Sequence, residues 1–404
     1  MRRARWLGAP VAIAATLLLA APVSAAAQPV ETPFAPVVQQ VVRGDLVMAG
    51  NSNLRAAGGW RADGQASADV DGDTTQLCVG RTFVPAACAD NSSSATLDLP
   101  PGARIVAARL YVETTLSTAV NPVRVRLDGP APGYDFTELS ATTAGVPKLA
   151  ESAGSQLRST TPMRQAVWDV TGYVQANGAG SYTVADIMYE RAGAFLPYAS
   201  WAIVAAYELD PAADVTAMTP EQLAPFAPRA ISWSDGFVVS VDTSVDVPVS
   251  GFQVPLAEPV FAKAFHVVAH AQHRGADNLL FAGQPLGNNV TPGDSAPPLG
   301  ITVGHDPACN TSTDILDDSI CDLGTAVSTK QPGSDAYVSS RDGRTPSSGS
   351  GVDMDVTRIP DRYLLPGMTS ATLSMRALGS TPIATGVLAT SIDLPNSITG
   401  VVAP

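Results

Sequence analysis

The most restrictive feature of this sequence is a two-residue periodicity that keeps being interrupted. Val123-Arg-Val-Arg-Leu127 alternates apolar and polar side chains and stops at Asp128-Gly129. Alternation at that period places every second side chain on one face, the pattern of a half-buried strand. Ser94–Leu99, Arg104–Thr114, Ser181–Ile187, Val245–Val249, Val260–Ala271 and Ala371–Ala377 read the same way. Phe237–Val241 and Ile383–Ile392 are further strands. Tyr198–Tyr207 is almost continuously apolar, which marks a strand covered on both faces. The 34 Gly and 33 Pro punctuate the whole chain and leave few windows long enough for a helix. The expected fold is all-β.

The pattern breaks between Leu209 and Arg229, a Pro- and Ala-rich stretch without alternation. Within it Thr219-Pro220-Glu221-Gln222 has the form of an N-cap with proline at the first helical position, so a short helix is expected there. A mature chain of about 375 residues exceeds one ordinary core. The sequence therefore divides into 28–43 as an N-terminal linker, 44–208 as a first domain, 209–229 as a linker and 230–404 as a second domain. Both domains are expected to be jelly-roll or β-sandwich-like, in tandem. A faint repeat links them: Trp168-Asp169-Val170-Thr171 and Met354-Asp355-Val356-Thr357 each precede a connection and a strand.

Residues 1–27 predict a cleaved signal peptide. Arg2, Arg3 and Arg5 form a basic start, an apolar run follows, and Val23-Ser24-Ala25-Ala26-Ala27 supplies the small residues of a cleavage site. No second apolar stretch of spanning length follows, so the mature chain is expected to have no membrane span. It is expected to be secreted, extracellular or wall-associated. Losing the leader leaves 21 basic side chains (24 less 3) against 37 acidic ones, a formal charge of −16. So acidic a chain repels phosphate backbones, and nucleic acid is not expected as a partner.

In an exported chain the cysteines are expected to be oxidised. Sequence proximity pairs Cys78 with Cys88 and Cys309 with Cys321, each closing a short loop and stabilising by ~2–3 kcal/mol. Asp69, Asp71 and Asp73 alternate around Gly72 and form a candidate calcium site, although the EF-hand order of acid and glycine is not met. His266, His270 and His273 crowd one segment, but His266 and His270 lie in strand context, where four residues span ~13 Å. That is too far for one zinc ion, and the histidines read as polar strand residues. Lys263 shares a face with Phe261, Phe265 and Val267, so either that face is exposed or a lysine is buried. A buried lysine in a surface β-domain is also a candidate for an isopeptide bond to Asn or Asp. No Gly-x-Ser-x-Gly elbow, phosphate loop or H-E-x-x-H is present.

Gly44-Asp-Leu-Val-Met-Ala-Gly-Asn51 resembles the opening of the N-terminal module of bacterial surface proteins that carry "domain of unknown function eleven" repeats. Asp69-Val-Asp-Gly-Asp73, Asn91-Ser-Ser-Ser-Ala-Thr-Leu-Asp-Leu-Pro100 with Ala108-Arg-Leu-Tyr111, and Asp169-Val-Thr171 follow in the same order. So do Gly178 to Val184, Trp201 to Glu208, Asp235-Gly-Phe237, Val249 to Phe252, Leu286-Gly-Asn288 and Val387 to Pro395. The resemblance spans nearly all of the mature chain. It implies an exported, adhesin-like or wall-associated part without an assigned catalytic residue. The repeats that usually follow are missing, and 212–228 is an insertion relative to the module.

The function expected is non-enzymatic: a surface, matrix or ligand-binding role with an unidentified protein or glycan as partner. A carbohydrate-binding jelly roll is the alternative and would need exposed aromatic rings; Trp60, Tyr134, Trp233 and Phe237 are the candidates. A secreted hydrolase comes third, and no cofactor is expected beyond a structural Ca²⁺.

Overall fold

The computed structural model describes residues 31–55, 65–66, 91–116, 123–133, 135–142, 148–151, 162–189, 199–256, 260–269, 278–286, 320–323, 325–326, 337–339, 344–347, 352–377 and 383–394. The chain is all-β. In order come β1 (Thr32–Ser52), β2 (Leu54–Arg55), β3 (Gln65–Ala66), β4 (Ser92–Leu97), β5 (Ala103–Thr115), β6 (Val123–Asp128), β7 (Thr137–Ala141), β8 (Lys148–Glu151), β9 (Met163–Asp169), helix α1 (Thr171–Asn177), β10 (Gly180–Ala185) and β11 (Ala199–Leu209). A connection carrying helix α2 (Pro220–Leu223) leads to β12 (Pro228–Ser240), β13 (Ser244–Ser250), β14 (Ala262–Ala269), β15 (Asn278–Phe281), β16 (Gln284–Leu286), β17 (Ile320–Asp322) and β18 (Thr325–Ala326). The chain ends on β19 (Tyr337–Ser339), β20 (Arg344–Ser347), β21 (Val352–Arg358), β22 (Ser370–Arg376) and β23 (Ile383–Asp393). Helix α2 starts as its sequence implies. The Thr219 hydroxyl accepts from the Gln222 backbone while the Gln222 side chain accepts from the Thr219 N–H, and proline opens the first turn. Among the described residues no helix is long and apolar enough to cross a membrane.

One large sheet runs β18-β17-β21-β14-β23-β12-β1-β11-β5-β9-β8. It is folded over on itself at β1. In a flat sheet β5 and β23 would stand four strands, about 19 Å, apart. Instead a Cβ placed on Gly386 of β23 would lie 2.6 Å from Glu113 Oε1 of β5. Strand β1 makes the fold-over because its two halves pair differently. Thr32 to Arg43 run antiparallel to β12, and Gly44 to Ser52 run antiparallel to β11. Gly44 stands where the pairing changes. A Cβ there would fall 1.9 Å from the Tyr207 carbonyl oxygen, a backbone atom that cannot rotate away, so only glycine fits. Thus the stretch 28–43, expected to be a linker, supplies the first half of β1 from Thr32 onward. Its doublets Val37-Val38 and Val41-Val42 hide the alternation that would have identified a strand.

Two smaller sheets cover the outer faces: β4-β10-β6-β7 on one side and β13-β22-β15-β16 on the other. The four layers enclose three apolar cores. The first packs Leu97, Val125 and Tyr182 against Leu110, Trp168 and Ile203. The third packs Val247, Phe281 and Leu373 against Ala264 and Leu388. The middle core joins the halves of the folded sheet, with Tyr111, Val167 and Val204 against Trp233, Phe265 and Val387.

The two outer sheets have the same strand order, β4, β10, β6, β7 matching β13, β22, β15, β16, and β11-β5-β9 recurs as β23-β14-β21. The apolar–Asp–Val–Thr motifs lie on corresponding strands, β9 and β21, but one residue out of phase. Trp168 points into the first core and Asp169 is exposed, whereas Met354 points into the middle core and Asp355 is wholly buried. The repeat lies in topology, and the four-residue motif does not superpose face for face.

Candidate functional site

Most sequence candidates lie outside the described residues. That holds for Asp69, Asp71 and Asp73, for Cys78, Cys88 and Cys309, and for His270, His273 and His305. Cys321 is seen only as backbone in β17, paired with Asp355 of β21. Of the four candidate aromatics, Trp60 and Tyr134 are outside as well. Trp233 and Phe237 are 0% exposed in the middle core, so neither presents a ring to a sugar.

What the fold does assemble is a set of buried polar groups between the two inner layers. Asp235 of β12 accepts a hydrogen bond from the Tyr111 hydroxyl at 2.9 Å and pairs with Arg109, both on β5. Beside it a void of about 10 Å³, lined by Thr32, Ala150, Gln165, Val167, Asp235 and Gly236, has room for about one water molecule. Further along β5, Glu113 is buried against Gly386. Gln165 donates to its Oε1 at 3.0 Å and Oε2 has no hydrogen-bond partner among the described residues. Burial pushes the Glu113 carboxyl up to about 7, and the Gln165 hydrogen bond opposes this only in part.

At the fold-over itself sits Asp45. Lys263 Nζ lies 2.8 Å from its Oδ2, and Arg229 is 3.7 Å away. Its Oδ1 accepts from the Ser391 hydroxyl at 2.6 Å and from the Leu46 N–H at 2.7 Å. Arg229 also pairs with Asp393 at 2.7 Å and donates to the carbonyl oxygens of Gly44 and Pro225. So Lys263 is partly buried rather than freely exposed, and its partner is a carboxylate more than 200 residues away in the chain. Four elements, β1, β12, β14 and β23, meet at this cluster.

The stretch Asn91-Ser-Ser-Ser has a comparable role in the first half. Asn53 donates to Asn91 Oδ1 at 2.6 Å and to the Val184 carbonyl at 3.0 Å; Asn91 donates to the Ile187 carbonyl at 3.0 Å. Trp201 Nε1 donates to the Ser93 hydroxyl at 2.8 Å. These bonds tie the end of β1 to β4, β10 and β11.

One group stands apart from the pairs. His266 of β14 and Asp353 and Asp355 of β21 are all 0% exposed. His266 is directly opposite Asp355 in the antiparallel register, and Asp353 lies two residues along on the same face. His266 Nε2 is 2.5 Å from Asp353 Oδ1, while Nδ1 has no hydrogen-bond partner among the described residues. Burial holds the imidazole below its ordinary range, against the charge of Asp355. The neighbours of His266 in the chain, His270 and His273, are not the groups it meets. The usable signal was Val352-Asp-Met-Asp-Val356: at period two, that spacing places two aspartates on one face.

No family model matches the chain and no curated protein matches it. Among solved structures it is similar to the major capsid protein P2 from bacteriophage PM2, at 11% identity over 78% of this chain and 96% of that one, with a TM-score of 0.19. It is also similar to a BuGH86 protein in complex with neoagarooctaose, at 10% identity over 77% of this chain and 34% of that one, again with a TM-score of 0.19. Likeness at that level carries nothing about function.

Proposed function

We propose that this is an exported, non-enzymatic β-sandwich protein with an adhesin-like role at the cell surface or in the surrounding matrix, where it binds a protein or glycan ligand. One observation carries the reading: the largely buried charged groups between the inner layers run from one layer of the folded sheet to the other. Asp235 with Arg109 and Tyr111, and Asp45 with Lys263 and Ser391, each join strands that are not neighbours in the large sheet. Such pairs hold sheets in one register and resist separation, since removing one partner strands a buried charge at a cost of about 3–5 kcal/mol. A stiff, internally locked stack suits a protein that displays loops to a partner. The basic, apolar and small-residue start of the chain and the resemblance to exported surface modules support the location.

Fractionation of cells expressing the tagged full chain, followed by binding of the purified mature protein to arrays of glycans and matrix proteins, tests this. The expected result is export, saturable binding to one ligand class, and no turnover of that ligand. Retention in the cytosol, or hydrolysis of a bound glycan or protein, would overturn it.

A further inference from the structure

We propose that the protein forms a two-fold dimer through the free edge of β1, with Val38–Val42 of one chain pairing antiparallel to the same residues of a second copy. The first half of β1 is bonded to β12 along one edge only. Strand β11, which takes up β1 from Gly44 onward, does not reach it, and among the described residues no other strand pairs with it. A strand left this way presents a row of backbone N–H and C=O groups to any chain that can continue the ladder.

Proteins guard such edges with charge, proline, bulges or brevity, and the rest of this fold does so. Strand β7 carries Glu138, β8 carries Lys148 and Glu151, β13 carries Asp246 and Pro248, β16 carries Pro285, and β18 is two residues long. Strand β4 is mostly buried, and Asn51 donates to its Ser94 carbonyl. Even β1 is guarded at its start, where Pro33, Pro36 and two register shifts break the ladder. From Val38 to Val42 all of these devices are missing. The register with β12 is regular there, and the side chains are valines and glutamines. Gln39, Gln40 and Val41 are exposed, Val41 at 52%.

The same stretch is complementary to itself. A two-fold axis perpendicular to the sheet keeps each face continuous across the pair, so a residue on the axis meets its own copy. With Gln40 on the axis, the face of Val38, Gln40 and Val42 meets Val42, Gln40 and Val38 of the second copy. Valine then lies across from valine and continues the middle core, to which Val38 and Val42 already belong. The two Gln40 amides, each both donor and acceptor, satisfy one another. On the other face Val41 lies across from Gln39 of the second copy and leaves water. The contact closes on itself, so the product is a dimer and not a fibre. The chain is acidic, with a formal charge of −13 over the whole sequence, so copies repel at a distance and salt that screens the charge favours pairing. This inference goes beyond the surface role proposed above and stands or falls without a ligand being found.

Sedimentation velocity of the purified mature chain over a range of concentrations is the test. A reversible monomer–dimer equilibrium is expected, shifted toward dimer by added salt. Gln40→Lys alters an exposed side chain and sets two like charges against each other on the axis. It should sediment as a monomer at concentrations where the wild type is dimeric, and Gln40→Glu should do the same. Mixed together, the two variants should dimerise, because lysine then faces glutamate. Melting curves matching the wild type would show that each variant is folded. A wild-type chain that stays monomeric at every concentration would overturn the proposal. So would a dimer that Gln40→Lys leaves intact, or folded variants that stay apart when mixed.

Discussion

Replacing Glu113 by Gln should remove a pH dependence of stability that the wild-type chain carries between pH 4.5 and about 7. The side chain stands on β5 at 1% exposure, packed against Gly386 with only Gln165 as hydrogen-bond partner among the described residues. In the unfolded chain it ionises near 4.5, and burial in the folded chain moves that to about 7. Over this interval the folded state keeps a proton that the unfolded state has lost. A folded pKa raised in this way contributes stability that is complete below pH 4.5 and is lost as the pH rises through about 7. At about 1.4 kcal/mol per pH unit, the interval amounts to about 3 kcal/mol. Urea unfolding of wild type and Glu113→Gln at about pH 4.5, 6 and 8 measures it, and the difference between the two chains cancels every titrating group they share. Between the ends of that range the wild type should lose about 3 kcal/mol relative to the variant. A difference that stays constant within about 0.5 kcal/mol would refute the assignment of this proton to Glu113.

The other expected outcomes concern the fold-over and the loops. Gly44→Ala should cost at least about 3 kcal/mol, read by urea unfolding, because the added carbon meets backbone and not a movable side chain. Asp45→Ala should cost about 3 kcal/mol by the same assay, since it removes the carboxylate that faces Lys263 in a largely buried site, while Arg229 keeps Asp393. Lys263→Met in that background should recover part of the loss, and a wild-type intact mass lacking one water would instead identify an amide between Lys263 and Asp45. Peptide mapping of the non-reduced mature chain should find Cys78 linked to Cys88 and Cys309 linked to Cys321, and peptides crossing between these pairs would overturn that assignment. Calcium should raise the melting temperature of the wild type and leave Asp71→Ala unmoved; equal melting with calcium and with chelator would make Asp69, Asp71 and Asp73 a plain acidic turn.

Much of the local structure was legible before any coordinates. Val123–Leu127 alternates and β6 occupies Val123–Asp128; Tyr198–Tyr207 is almost continuously apolar and β11 lies with both faces covered. Thr219-Pro220 announces α2 through the chemistry of its own cap. These features follow from interactions within a few residues, which is why periodicity and capping rules reach them. Helix α1 is not legible because Thr171–Asn177 contains a glycine and two β-branched residues, Thr171 and Val174, and has no side-chain cap.

Tertiary structure alone decided how the strands were used. Nothing within the segment Thr32–Ser52 says that one strand will serve both layers of the folded sheet, because the atom that leaves no room for a side chain at Gly44 is the carbonyl oxygen of Tyr207, far along the chain. The spacing of Asp353 and Asp355 places both on one face, but their partner His266 arrives from 87 residues away from Asp353 through strand register. Lys263 finds Asp45, and Glu113 finds Gly386, only after the large sheet closes over itself. A sequence carries the face on which each side chain will lie, since that depends on a repeat of two. Which faces meet depends on the summed packing of three cores, and that sum is settled only when the whole chain is folded.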